Sequence, residues 1–160
     1  MKSILFDVDG VFLSEERCFD VSAITVEELL TSEGIFLGCG TYIDFDNDLN
    51  DKKIQEIRER VFHHDKILNQ LKSLGLNSNW DMLFIVFSIH LIDLAKQLDQ
   101  SHRCEFLNSS TFNEKTLFEM NKHLLHKEID YEKPLEVIDS FRNGKDAIYE
   151  DLESYAKDQL

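Results

Sequence analysis

Two aspartates stand one residue apart near the start of the chain, in Ile4-Leu5-Phe6-Asp7-Val8-Asp9-Gly10-Val11-Phe12-Leu13. On an extended strand, residues i and i+2 share a face, so Asp7 and Asp9 converge at the strand's C-terminal end. Ligands of open α/β sheets bind at that end. Gly10 lets the backbone turn away sharply. Adjacent carboxylates repel, and a divalent cation or a shared proton relieves them. One carboxylate can then act as a nucleophile while its neighbour exchanges protons with a leaving group or water.

The elements that must hold this pair follow from the surrounding pattern. Ser3 to Val8 is apolar without alternation, as in a buried strand of a parallel sheet. After about residue 20 the pattern turns helical. Thr25-Val26-Glu27-Glu28 has capping-box spacing before Leu29 and Leu30. Gly34 to Leu49, punctuated by Gly34, Gly38 and Gly40, reads as loop or irregular strand. Ile54, Ile57, Val61 and Phe62 share a helical face, as do Ile67, Leu68, Leu71 and Leu74, with Gly75 placed to end the helix. Asn79 is expected to cap a long apolar helix from Trp80 to about Leu98, with Trp80, Phe84 and Phe87 in the core. Further helices are expected at 113–127, after Pro134, and across Ile148, Leu152, Tyr155 and Ala156. A lone strand leaves its backbone groups unpaired on both edges, so this one needs neighbours that the rest of the sequence does not offer.

The run Ile4–Leu13 resembles the first motif of the haloacid dehalogenase-like hydrolases, an apolar strand followed by D-x-D-G and a second apolar stretch. The resemblance implies an α/β fold for the family, with this chain mostly α-helical: residues 1–19 supply the first core strand and motif, residues 20–160 a helical cap. The rest of the core is absent from these 160 residues, and it is the one protein partner the resemblance implies. Asp7 is implied as the nucleophile that forms an aspartyl-phosphate. Asp9 is implied as the acid that protonates the leaving group and then the base that activates water. Asp7 and the backbone carbonyl of Asp9 are implied as Mg²⁺ ligands. Val11 replaces the threonine common at its position. The implied substrate is a small phosphorylated metabolite.

Such an enzyme also needs a Ser or Thr after a second strand, a Lys or Arg, and a further acidic pair. Ser88 follows the apolar Met82-Leu83-Phe84-Ile85-Val86-Phe87, but the apolar pattern continues past it with helical period. Gly144-Lys145-Asp146 with Asp151 imitates the acidic motif, yet Phe141-Arg142-Asn143 before it is no buried strand. Both read as helix, and no lysine can be assigned to phosphate by spacing. These 160 residues are thus expected to be the N-terminal part of a longer hydrolase, incomplete on their own.

Composition bounds the alternatives. A formal net charge of -14 repels nucleic-acid phosphates and anionic membrane surfaces while favouring a cation. Most of the acids are expected on solvated helix faces. Cys18, Cys39 and Cys104 lack close pairing, which suits reduced thiols in a cytoplasmic protein and makes the sequon at Asn108 immaterial. Asp44, Asp46 and Asp48 open like a calcium loop, but Leu49 and Gln55 stand where glycine and glutamate belong. His63-His64-Asp65 and His123 with His126 lack the partners of a zinc site and read as surface groups. The rival to the enzyme is a non-catalytic acidic helical module that binds a protein partner through apolar helices.

Overall fold

The computed structural model describes residues 14–32, 38–40, 43–45, 49–108 and 114–160. They form eight helices: α1 (Glu15–Thr31), α2 (Asp51–Val61), α3 (Lys66–Ser73), α4 (Asn79–Lys96), α5 (Gln100–Asn108), α6 (Glu114–Leu124), α7 (Lys133–Ile138) and α8 (Lys145–Gln159). Among the described residues there is no strand and no sheet. The expected α/β class is therefore corrected: the described residues form an all-helical fold. Its cause is the 3.6-residue apolar period from Phe19 onward, which closes a core between helices and leaves no β-run to pair. The strand expected at Ser3–Val8 lies outside the described residues. In the expected loop or irregular strand, Gly38 to Gly40 joins the body by isolated backbone bonds, Gly40 N–H to Lys127 O (2.9 Å) and His126 N–H to Gly38 O (3.1 Å), without a ladder.

Helix α1 begins at Glu15, five residues before the expected start of helical structure, and runs unbroken through Thr25. Thr25 is no cap. Its hydroxyl donates to the Val21 carbonyl one turn back (2.9 Å), a bond available to threonine inside a helix. Phe19, Ala23, Val26, Glu27 and Leu30 form the buried stripe of α1. It packs on α2 and on α4, and α4 in turn meets α7 and α8. Met82, Ile85, Val86 and Ile89 from α4 sit at the centre of the core with Ile57, Val61, Phe62 and Leu71.

Helix ends are set by local chemistry. Asn50 accepts from Lys53 N–H (3.0 Å) and opens α2. Ser78, rather than the expected Asn79, accepts from Asp81 N–H (3.3 Å) and opens α4. Arg103 donates to the Lys96 and Leu98 carbonyls (2.9 and 3.0 Å) and satisfies the orphaned end of α4. Gly75 ends α3 with φ 93° and Gly144 opens α8 with φ 105°, conformations that suit glycine. Between α2 and α3, His63, His64 and Asp65 all have positive φ (47°, 53° and 62°). Arg58 holds that turn by a two-pronged bond to Asp65, 3.0 and 2.9 Å.

Candidate functional site

Asp7 and Asp9 lie outside the described residues, so the described site begins with the side chains that α1 and α2 bring together. Glu27 falls on the buried stripe of α1 and is 2% exposed. Arg60, in the last turn of α2, donates from Nη2 to Glu27 Oε1 at 2.5 Å. The Tyr131 hydroxyl donates to the other oxygen, Oε2, at 2.8 Å. The Arg60 guanidinium also lies over the Tyr131 ring, 5.2 Å from its centre. Both carboxylate oxygens are thus used, and the cation is held from an edge and a face.

Electrostatics follow from that geometry. Burial works to lower the Arg60 pKa, but the Glu27 charge and the contact with Tyr131 outweigh it and hold the guanidinium charged. Burial and the neighbouring Glu27 charge push the Tyr131 hydroxyl well above its ordinary range, which keeps it a donor. Arg60 Nε is buried with no partner among the described residues, an omission that costs about 1–3 kcal/mol for a typical donor. These residues line a cleft of about 480 Å³ with Gly40, Lys53 and Ile129. Lys53 stands two helical turns before Arg60 on α2, on the same side.

His90 packs edge-to-face on the far ring of this network, 5.7 Å from the Tyr131 ring centre. It is buried within α4, its Nε2 has no partner among the described residues, and burial pushes its pKa down to about 4. A second cleft, of about 500 Å³, lies between the start of α1 and α2 and is lined by Arg17, Asp20, Asp51, Arg58, Glu59 and Asp65 among others. Its acids are largely taken up by arginine: Arg58 reaches Asp20 (3.3 Å) as well as Asp65, and Arg17 reaches Asp20 and Asp51. An apolar groove of about 490 Å³ runs between α4 and α8, over Phe84, Leu91, Ala95, Leu152 and Ala156.

The remaining sequence candidates have clear places. Ser88 is interior to α4, as its periodicity implied. Gly144-Lys145-Asp146 opens α8, where Lys145 Nζ pairs with Asp81 Oδ2 (2.5 Å) and Tyr149 donates to Asp81 Oδ1 (2.7 Å). Asp151 accepts from the Arg142 backbone and guanidinium (2.7 and 2.8 Å), so the imitation acidic motif is a helix start stapled to its preceding loop. Asp46 and Asp48 of the calcium-like loop lie outside the described residues, while Gln55 bonds Glu59 and Glu56 pairs with Lys52 and Lys53. His63, His64 and His126 occupy turns, and His123 stacks on His102 at 3.7 Å. No group of three metal-ligating side chains forms among the described residues. Cys18, Cys39 and Cys104 form no disulfide; the Cys39 thiol donates to the Leu124 carbonyl (3.3 Å), and burial pushes its pKa up to about 12.

Trp80 and Phe84 are corrected. Trp80 is 78% exposed and Phe84 49%, because α4 is apolar around most of its circumference and its core-facing row is Met82, Ile85, Val86 and Ile89. Phe87 is partly buried against the core. Among the described residues no helix is long and apolar enough to cross a membrane.

Sequence reasoning did not find the Glu27–Arg60–Tyr131 network. Its members are 33 and 104 residues apart, beyond any local motif. One signal was present: Glu27 sits eight residues after Phe19 and four after Ala23, on the apolar row of α1, where a carboxylate needs a partner.

No family model matches this chain, and no curated protein does. Among solved structures, an X-ray structure of a Northeast Structural Genomics Consortium target is similar, with a TM-score of 0.87 at 52% sequence identity. The similarity covers 99% of this chain and 42% of that one, so this sequence spans less than half the length of the solved protein it matches. The all-helical fold described above is thus shared with a segment of a longer solved chain.

Proposed function

We propose that this chain is the motif-bearing, helical-cap part of a Mg²⁺-dependent phosphohydrolase resembling the haloacid dehalogenase-like enzymes, acting on a small phosphorylated metabolite. The observation that carries this reading is the run Ile4–Leu13, with Asp7 and Asp9 one residue apart, at the head of an otherwise helical body. The match to 42% of a longer solved chain supports the idea that further catalytic groups come from outside these residues.

In the proposed reaction an Asp7 carboxylate oxygen attacks phosphorus as the bond to the leaving oxygen breaks, and Asp9 gives that oxygen its proton. Asp9 then takes a proton from water, whose oxygen attacks the aspartyl-phosphate, releasing phosphate and restoring Asp7. A carboxylate oxygen and a backbone carbonyl oxygen are the hard donors that Mg²⁺ accepts, so Asp7 and the Asp9 carbonyl suit it. The ion would supply charge neutralisation for the phosphoryl oxygens. The test is hydrolysis of an aryl phosphate by the full-length protein that carries this sequence, with and without Asp7→Asn.

A second reading, a helical module that binds a protein partner, is favoured by one observation: Trp80 and Phe84 stand exposed on α4, and Phe84 lines the apolar groove against α8. The same assay separates the two, because a binding module has no hydrolysis for Asp7→Asn to remove.

A further inference from the structure

We propose that the cleft between α2 and residues 127–131 is a binding site for a small oxyanion, a carboxylate or phosphate group, recognised by Arg60 with Lys53. Glu27 fixes one edge of the guanidinium and the Tyr131 ring supports its face, so the group is ordered before any ligand arrives. A guanidinium has five N–H donors in a rigid fork suited to planar and tetrahedral oxyanions. Among the described residues, Nη2 donates to Glu27, the Tyr131 side chain lies against the guanidinium, and Nε has no partner.

Burial of Glu27 matters as much. Glu27 also lines the cleft, but its two carboxylate oxygens are taken up by Arg60 and Tyr131. The side chains that reach the opening include Arg60, 34% exposed, and Lys53, which is similarly open and only loosely paired with Glu56 at 3.6 Å. Glu128 lies at the exposed rim and limits how much negative charge the site accepts, which favours one oxyanion over a polyphosphate. Elsewhere, Arg58 and Arg142 each reach two carboxylates, whereas Arg60 reaches one. The cleft's volume, about 480 Å³, suits a small metabolite.

The experiment is titration of the full-length protein that carries this sequence with inorganic phosphate and, separately, with malonate, followed by NMR at the arginine Nε–H resonances and backbone amides. The expected result is a saturable shift of the Arg60 Nε–H and the Gly40 and Tyr131 amides. The arm that saturates at lower concentration identifies phosphate or carboxylate as the preferred group. Lys53→Gln should weaken binding several-fold, and Arg60→Lys by about tenfold or more, since lysine cannot present a fork. Asp7→Asn should leave these shifts unchanged, which separates this site from the proposed catalytic one. Absence of a saturable shift with either anion, or shifts undiminished in folded Lys53→Gln, would overturn the proposal. Lys53 is on the surface of α2, so that variant decides the matter even if Arg60→Lys impairs folding.

Discussion

Glu27 is the residue on which most of the described electrostatics turns. It sits on the apolar stripe of α1 with its two oxygens committed to Arg60 and Tyr131. Removing one member of a buried ion pair strands its partner, at a cost of about 3–5 kcal/mol for full burial. Arg60 is one-third exposed and can rehydrate, so Glu27→Gln is expected to cost about 1–3 kcal/mol. The denaturant midpoint measures this; a change within error would show the pair to be energetically idle. His90 provides the pH-dependent counterpart. Its native pKa, near 4, lies below the ordinary value of 6.5 because burial outweighs the opposing effect of the Asp130 charge. The unfolded chain therefore takes up the proton first, and stability falls as pH drops from about 6.5 toward 4, by at most about 1.4 kcal/mol per pH unit. His90→Gln should flatten that part of the curve relative to the parent chain. An identical acid limb in both would remove His90 as the cause.

At the scale of elements, burial and not hydrophobicity decides what each helix contributes. Ile85 is fully buried on α4 and Trp80, five residues earlier, is largely in solvent. Ile85→Ala is expected to cost about 2–5 kcal/mol, and Trp80→Ala less than about 0.5 kcal/mol; chemical denaturation of both variants checks the contrast. At Gly75 the added methyl would meet nothing within 4 Å, yet φ is 93°. Gly75→Ala should therefore cost about 1–2 kcal/mol through backbone strain alone. These elements also show what was readable in advance. The rows Ile54, Ile57, Val61 and Ile67, Leu68, Leu71 announced α2 and α3, because one-sided apolar spacing has a single helical reading. On α4, apolar all round, the same rule gave the helix but could not select its inner face, and Trp80 was misplaced. Thr25 satisfied a capping pattern inside a continuing helix, since the pattern does not record the Val21 carbonyl one turn behind it. The left-handed run His63–Asp65 contains no glycine and depends on Arg58, so nothing local announced it. The Glu27 network was hidden for the same reason: its partners come from different elements.

For the whole molecule, the all-helical body and the Asp7–Asp9 run belong to one account only if the run does chemistry. The described residues supply a helical scaffold, a charged cleft and an apolar groove, while the proposed nucleophile stands ahead of α1. A segment of the same fold inside a longer solved chain is consistent with a body that completes its site with residues from elsewhere. The most direct measurement is aryl-phosphate hydrolysis by the full-length protein carrying this sequence, with Mg²⁺ and with chelator, in parent and Asp7→Asn forms. Mg²⁺-dependent turnover is expected, falling at least about a thousandfold on Asp7→Asn, as when a covalent nucleophile is removed. Turnover that survives the substitution, or no Mg²⁺-dependent hydrolysis by the parent protein, would contradict it.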